Sequence, residues 1–277
     1  MIKKCYAKIN LALDILGQRP DGYHEIDTIM TRIDLFDKLF IEKTNDNKFH
    51  YEANIGLCDL EDNLIYKAYN LLSPRTKNKG IRVILEKNIP LAAGLAGGST
   101  DAAEMIKGLN ELWDLGLSKK EMMDIGIKLG ADVPFFFLEE SARARGVGEK
   151  LEAFSNKTDL KILLINDGPE IPSSYVYEKT KHFGHIDMDK IVGGLINSDK
   201  KIVEEFENVM EDVVCRDFSK LMDIKEKLLS LGAKKALVSG SGASVFGIFF
   251  DENDLEDAYQ SIKDSYRFVK KVELIDD

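Results

Sequence analysis

Between residues 81 and 89 the chain alternates: Ile81, Val83 and Leu85 fall on one side and Arg82, Ile84 and Glu86 on the other, which predicts a strand. Ala7 to Ile15 alternates more loosely and Asp34 to Lys43 reads as a further strand, with turn chemistry in Gly17-Gln-Arg-Pro-Asp-Gly22 between them. From Asn63 to Leu72 the period changes. Apolar residues at 64, 65, 68, 71 and 72 form a helical stripe, with Asp62 as its cap. A second helix is expected from about Ala102 to Leu115, with Ala103, Ile106, Leu109 and Trp113 at helical spacing. Ser118-Lys-Lys-Glu121 is a capping box that opens a third helix, closed by Gly130. Pro134 then disfavours helix, and Phe135 to Leu138 reads as a fully buried strand.

The second half is expected to begin near Asp159. A strand at Lys161–Asn166 is followed by a break at Gly168-Pro-Glu-Ile-Pro172 and by helices around 174–180, 201–214 and 221–231. Ala236 to Phe250 reads as two strands about a glycine-serine turn, and a helix (255–265) and a strand (268–274) complete the chain. Strands and helices are interspersed without regular βαβ periodicity, so the fold class is α+β. The pattern divides near residue 155, giving domains at 1–155 and 156–277.

Length and composition permit that division. The chain has 277 residues, 44% hydrophobic and 31% charged, enough for two modest cores and unlike disorder or a disulfide scaffold. The net charge of −10 gives no overall attraction to nucleic acid or anionic lipid, so any phosphate must be held by a local device. Cys5, Cys58 and Cys215 are odd in number and far apart, which suits reduced thiols of a cytoplasmic protein. Apolar runs such as Val133–Leu138 are far short of a membrane span. Lys8, Asn10 and Asp14 interrupt the first segment, so it does not read as a signal peptide and the mature chain is expected to begin at Met1.

The local device is Pro90-Leu-Ala-Ala-Gly-Leu-Ala-Gly-Gly-Ser-Thr-Asp101, between the strand and the second helix. Gly94, Gly97 and Gly98 allow close backbone approach, and the helix behind them offers a positive dipole end. Ser99 and Thr100 add hydroxyls for phosphate oxygens or Mg2+. Neither a Walker lysine nor G-x-G-x-x-G is present. By itself the loop indicates an anion at a helix start, and a plain small-residue connection reads equally well. Lys8 and Asp132, taken singly, suit a snorkelling strand lysine and a local amide acceptor. Asp101 reads as a helix cap, His50, His182 and His185 as surface, and the acidic carboxy terminus as a solvated face.

Pro90 to Ala103 closely resembles the phosphate loop of the GHMP kinases, and Ser239-Gly-Ser-Gly-Ala-Ser-Val-Phe246 looks like that superfamily's glycine-rich third motif. Ala7-Lys-Ile-Asn10, Gly17 to Glu25 with its Gly-Tyr-His, and Leu129-Gly-Ala-Asp-Val-Pro-Phe135 resemble one branch of it, which acts on a cytidylated methylerythritol; Asp62-Asn-Leu-Ile65 and Gly146-Val-Gly-Glu149 fit as well. The departures are Ala96, where another glycine is common, and Thr100, where serine is. The resemblance implies a two-domain architecture: an amino-terminal domain like domain 2 of ribosomal protein S5 and a ferredoxin-like carboxy-terminal domain. It implies ATP-dependent phosphorylation of the 2-hydroxyl of 4-diphosphocytidyl-2-C-methyl-D-erythritol, a step of non-mevalonate isoprenoid synthesis. By that resemblance Asp132 accepts the hydroxyl proton and Lys8 supports it. Pro90, Leu91, Ala92, Ala93, Gly94, Leu95, Ala96, Gly97, Gly98, Ser99 and Thr100 hold ATP, with Mg2+ as cofactor. Asn10 meets the erythritol hydroxyls, while Tyr23, His24 and Tyr177 form the cytosine slot. The expected partners are small molecules only, with the chain a monomer or weak homodimer. Against this stand another small-alcohol kinase, a non-catalytic nucleotide-binding regulator, and RNA binding through the S5-like fold. The Gly-Tyr-His stretch, the Lys8 with Asp132 pair and the acidic balance speak against them in turn.

Overall fold

The computed structural model describes residues 1–181 and 184–276. In chain order its strands are β1 (Ile2–Gln18), β2 (His24–Lys43), β3 (Phe49–Ala53), β4 (Ile81–Glu86), β5 (Ser141–Gly146), β6 (Lys150–Phe154), β7 (Lys161–Asn166), β8 (Lys235–Val238), β9 (Ser244–Phe249) and β10 (Phe268–Ile275). The helices are α1 (Leu64–Leu72), α2 (Gly97–Leu112), α3 (Lys119–Gly126), α4 (Ser173–Lys179), α5 (Met188–Ile196), α6 (Glu211–Asp217), α7 (Ser219–Ser230) and α8 (Glu252–Ile262). They divide into two compact units. Unit one holds Met1–Ala7, Leu35–Ile89 and Ala96–Glu139; unit two holds Lys8–Asp34, Pro90–Leu95 and Glu140–Asp277. Both long strands β1 and β2 therefore contribute residues to each unit.

In unit one the second half of β2 pairs antiparallel with β4 (Leu39↔Leu85, Ile41↔Val83), and β3 pairs parallel with β4. Helices α1 and α2 pack on each other. A Cβ on Gly108 of α2 would come within 2.4 Å of Ile41 Cδ1, so a glycine lets this helix lie directly on the strand. In unit two, β7–α7–β8–β9–α8–β10 includes a βαββαβ arrangement with the antiparallel strand order β10-β7-β9-β8. That 4-1-3-2 order is the ferredoxin-like one, as expected. Strand β7 is buried along Ile162–Ile165, and the first half of β2 pairs with β5 (Thr28↔Ala144) and β10 (Leu274↔Ile33).

Several elements differ from the pattern-based reading. Helix α2 starts at Gly97, five residues earlier than expected, because Ala96 turns left-handed (φ 54°) and the glycines enter the helix. Asn63, not Asp62, caps α1: its side chain accepts the Ile65 N–H. Helix α3 ends at Gly126 rather than at Gly130, although its capping box is present. Val133–Phe137 is a buried 3-10 turn with Pro134 near its start, since a short apolar run has no period to separate strand from helix. The helix expected at 201–214 is a 3-10 turn, Lys200–Glu205, followed by α6. The backbone between them turns aside to bond Leu13 of β1 (Leu13 N to Glu207 O, Val209 N to Leu13 O). Strand β2 begins ten residues early. Strands β3, β5 and β6 and helix α5 escape the pattern; β5 has alanines at its inward positions, which carry little strand signal. Asp276 is not merely solvated, since its carboxylate accepts the Ser141 and Asn156 N–H groups. His50 and His185 are exposed, while His182 lies outside the described residues. The three cysteines are unpaired, and burial pushes the Cys215 thiol up to about 11. Among the described residues no helix is long and apolar enough to cross a membrane.

Candidate active site

Alternation along β1 places Lys8 and Asn10 on the same face of the strand. Both are buried, in unit two, and Lys8 Nζ donates to Asn10 Oδ1 at 2.6 Å. Asn10 Nδ2 in turn donates to Thr28 Oγ1 at 2.8 Å. The Lys8 backbone N–H bonds Leu95 O at 3.1 Å, so the first half of the glycine-rich loop, Pro90–Leu95, is stitched alongside this lysine.

That half-loop rests on the carboxy-terminal glycine-serine turn. Ser239 Oγ donates to Gly94 O at 3.0 Å and Ser244 N to Ala93 O at 3.1 Å. Gly94 has φ 73°, and a Cβ there would stand 1.9 Å from Ser239 O. Ala92 (φ 46°) and Ala96 (φ 54°) are also left-handed, so every second residue of the segment reverses hand. Such alternation turns successive N–H groups toward one side, the geometry of an anion-binding nest. The turn itself is held from behind by the buried Asn208, whose Nδ2 donates to Val238 O (2.9 Å) and Gly240 O (2.8 Å).

Also in unit two, the rings of His24 and Tyr177 stack with centroids 5.2 Å apart. Tyr23 lies beside them in sequence but is 65% exposed. The buried Asp14 carboxylate accepts the N–H groups of Gly184, His185 and Ile186 at 2.8–3.0 Å and anchors the chain beyond α4, the helix that carries Tyr177.

Unit one supplies the start of α2. Its cap residue is Ala96, which has no side-chain acceptor, and no acidic residue lies in the first turn. The leading N–H groups therefore have no side-chain acceptor at the cap, and the helix dipole makes their end favourable to an anion. Gly98 is open: a Cβ there would meet only Leu64 Cδ1, at 3.7 Å. Gly97 has a different reason to be glycine, since a Cβ would stand 2.9 Å from Lys87 Nζ. Lys87 is buried between Asp37 (2.5 Å) and Asp101 (2.7 Å). Burial, set against the pull of Lys87, raises the Asp101 carboxyl to about 7, and Asp37 adds to the rise. Burial also opposes the charge on Lys87, yet the two carboxylates hold its pKa above the ordinary lysine value. Asp101 is thus a buried ion-pair partner, not a helix cap.

Asp132, half-buried, precedes the buried 3-10 turn Val133–Phe137. Lys107 of α2 donates to Phe136 O at 2.7 Å and fixes that turn. A Cβ on Gly130 would lie 4.0 Å from Ser99 Oγ, so the turn bearing Asp132 runs beside the first turn of α2. Magnesium takes oxygen ligands and keeps several waters when it arrives with phosphate. The Ser99 hydroxyl, half-buried in that first turn, suits such a role; Thr100 is 1% exposed. Among the described residues no three His, Cys, Asp or Glu side chains are grouped to hold a metal by themselves.

The structure therefore groups Lys8, Asn10 and Pro90–Leu95 in unit two, with His24 on Tyr177. In unit one it groups Ala96, Gly97, Gly98, Ser99 and Thr100 with the Asp132 turn. Pattern reading missed Asp14, Thr28, Asp37, Lys87 and Asn208. Asp37 and Lys87 had a signal: Asp37 shares the inward, apolar register of β2 with Leu35 and Leu39, and Lys87, one residue past β4, continues the register of Val83 and Leu85. Asn208 and Thr28 had none.

The chain matches two family models, "GHMP kinases N terminal domain" over residues 63–140 and "GHMP kinases C terminal" over residues 199–267. A 4-diphosphocytidyl-2-C-methyl-D-erythritol kinase of Thermoanaerobacter pseudethanolicus is 43% identical over 272 residues, covering 96% of this chain and 93% of that one. One from Finegoldia magna is 39% identical and covers 98% of each. A crystal structure of 4-(cytidine 5'-diphospho)-2C-methyl-D-erythritol kinase superposes with a TM-score of 0.86 at 30% identity over 99% of both chains. Homoserine kinase from Cytophaga hutchinsonii, at 15% identity and a TM-score of 0.73 over 97% of this chain and 95% of its own, shares the fold alone.

Proposed function

Because the chain belongs to the GHMP kinases, and within them to the 4-diphosphocytidyl-2-C-methyl-D-erythritol kinases, we propose that it transfers the γ-phosphoryl group of ATP to the 2-hydroxyl of 4-diphosphocytidyl-2-C-methyl-D-erythritol. The products are the 2-phosphate and ADP, in non-mevalonate isoprenoid synthesis. The observation that carries this reading is the buried Lys8 ammonium, braced by Asn10 and bonded through its backbone to the loop at Leu95.

Phosphoryl transfer to an alcohol needs positioning, charge neutralisation and a proton acceptor. The half-loop Pro90–Leu95 and the open N–H groups of α2 receive the phosphates. Ser99 would supply an oxygen ligand to Mg2+, which when bound would neutralise charge on the phosphates. Asp132 takes the 2-hydroxyl proton late, as the oxygen bonds to phosphorus. Lys8 favours the developing alkoxide. His24 and Tyr177, with Tyr23, receive the cytosine. The division at residue 155 is part of the same proposal; the two family models fall on either side of it.

The test is ADP release with a panel of alcohols, including homoserine, mevalonate and the cytidylated erythritol. Turnover with the last alone is expected, and turnover with another alcohol at a comparable rate would refute the assignment. Lys8→Ala and Asp132→Asn should each cut turnover at least ~100-fold with the fold retained. Near-parental rates in either would remove that residue from its role.

A further inference from the structure

Three hydrogen bonds run away from the Lys8 side chain through the interior of unit two. Lys8 Nζ donates to Asn10 Oδ1 at 2.6 Å, Asn10 Nδ2 to Thr28 Oγ1 at 2.8 Å, and Thr28 Oγ1 to Ala12 O at 2.7 Å. All three side chains are at most 4% exposed. The two ends force the direction of every bond. An ammonium only donates, so the amide oxygen of Asn10 must face Lys8. A peptide carbonyl only accepts, so the Thr28 hydroxyl must spend its proton on Ala12. That leaves the hydroxyl only lone pairs to offer, and the Asn10 NH2 group must point to it.

Thr28 is the one hydroxyl in this chain of bonds, accepting from Asn10 and donating to Ala12. Valine has its shape and can do neither. With the hydroxyl gone, the amide loses the partner that fixes its sense. A flipped amide would set NH2 against the ammonium and push the lysine out of line. A displacement of about 1 Å at a positioned group is enough to cost rate substantially.

We infer that Thr28 is a positioning residue for phosphoryl transfer, fixing through Asn10 the amide orientation that holds the Lys8 ammonium. The inference rests on the proposed role of Lys8, and it assigns the Asn10 amide to the lysine rather than to the erythritol hydroxyls.

The test compares full-length Thr28→Val, Thr28→Ser, Lys8→Met and the Lys8→Met/Thr28→Val double variant by steady-state ADP release, each with a melting curve. Thr28→Val should lower kcat about tenfold, with KM for both substrates within about twofold and a melting temperature lower by only a few degrees. Thr28→Ser, which keeps the hydroxyl, should restore most of kcat. In the Lys8→Met background Thr28→Val should cost less than about twofold, since its effect passes through the lysine. The inference is overturned if Thr28→Val keeps parental kcat while Lys8→Met loses at least ~100-fold, or if the double variant loses the full tenfold again. It is equally overturned if Thr28→Val raises both KM values and lowers the melting temperature without rescue by serine. Parental turnover in Lys8→Met would instead bring down the lysine's role and the inference with it. Should Thr28→Val fail to fold, Thr28→Ala against Thr28→Ser carries the same comparison.

Discussion

Replacing Gly94 by alanine tests how the phosphate loop is held. The position has φ 73°, which costs an L-residue roughly 1–2 kcal/mol. The new Cβ would also stand 1.9 Å from Ser239 O and 3.1 Å from Gly242 O. Ser239 O is not free to retreat, because it accepts the Gly242 N–H at 3.0 Å while Ser239 N bonds Ser244 O at 2.9 Å. Loop and turn must separate by about 1 Å, breaking the Ser239 Oγ to Gly94 O bond. Overpacking of this kind adds about 1–3 kcal/mol, for a total of about 2–5 kcal/mol and a fall in melting temperature of roughly 5–20 °C. A misplacement of that size should lower kcat/KM for ATP about 100-fold. Gly98→Ala is the control: its Cβ has ordinary space, so stability should hold and only KM for ATP should rise. Steady-state kinetics and scanning calorimetry read both variants. A Gly94→Ala protein with parental melting temperature and kcat/KM would refute the account of the loop.

Three further outcomes follow from the same geometry. Ala96→Gly relieves a left-handed alanine (φ 54°) at the start of α2; since glycine's chain entropy offsets part of the gain, calorimetry should show stability unchanged or raised by up to ~1 kcal/mol, and a clear loss would contradict it. Asn63→Ala should cost about 1 kcal/mol in a urea melt while Asp62→Ala costs almost nothing, because only Asn63 accepts the Ile65 N–H; the reverse order would return the cap to Asp62. The Asp101 carboxyl titrates near 4 in the unfolded chain but at about 7 when folded, so the native state binds more protons between those values. Stability should therefore fall as pH rises from about 4 to 7, and Asp101→Asn should flatten that slope in melts across the range.

What the sequence made legible follows from which signals are local. The capping box at Ser118 and the glycine-serine turn at 239–243 depend on neighbours in the chain and were readable from it. The pairing of Asp37 with Lys87 was half readable. Alternation puts both on inward faces, but that they lie one step beyond Lys38↔Glu86 is a fact of register. At two places residue type and backbone hand point different ways. Gly97 and Gly98 suggest a loop but open a helix, and the apolar run Phe135–Leu138 suggests a strand but lies in and just after a 3-10 turn. Asn208 was out of reach: it acts on carbonyls about thirty residues away, and no spacing rule announces that. For the site, the resemblance nominated the residues, whereas the bracing of Lys8 by Asn10 and Thr28 needed coordinates.

The way β1 and β2 are shared between units has a consequence for biosynthesis. Unit one is fully translated once Glu139 has left the ribosome. Lys8–Asp34, made much earlier, belong to a unit whose strands β5, β7, β9 and β10 do not yet exist. At ~5–20 residues per second β5 follows within about a second, but β9 and β10, the last partners, arrive on the order of ten seconds later. Throughout that interval a nascent segment rich in buried apolar positions, with Lys8 on it, stays exposed to chaperones and proteases.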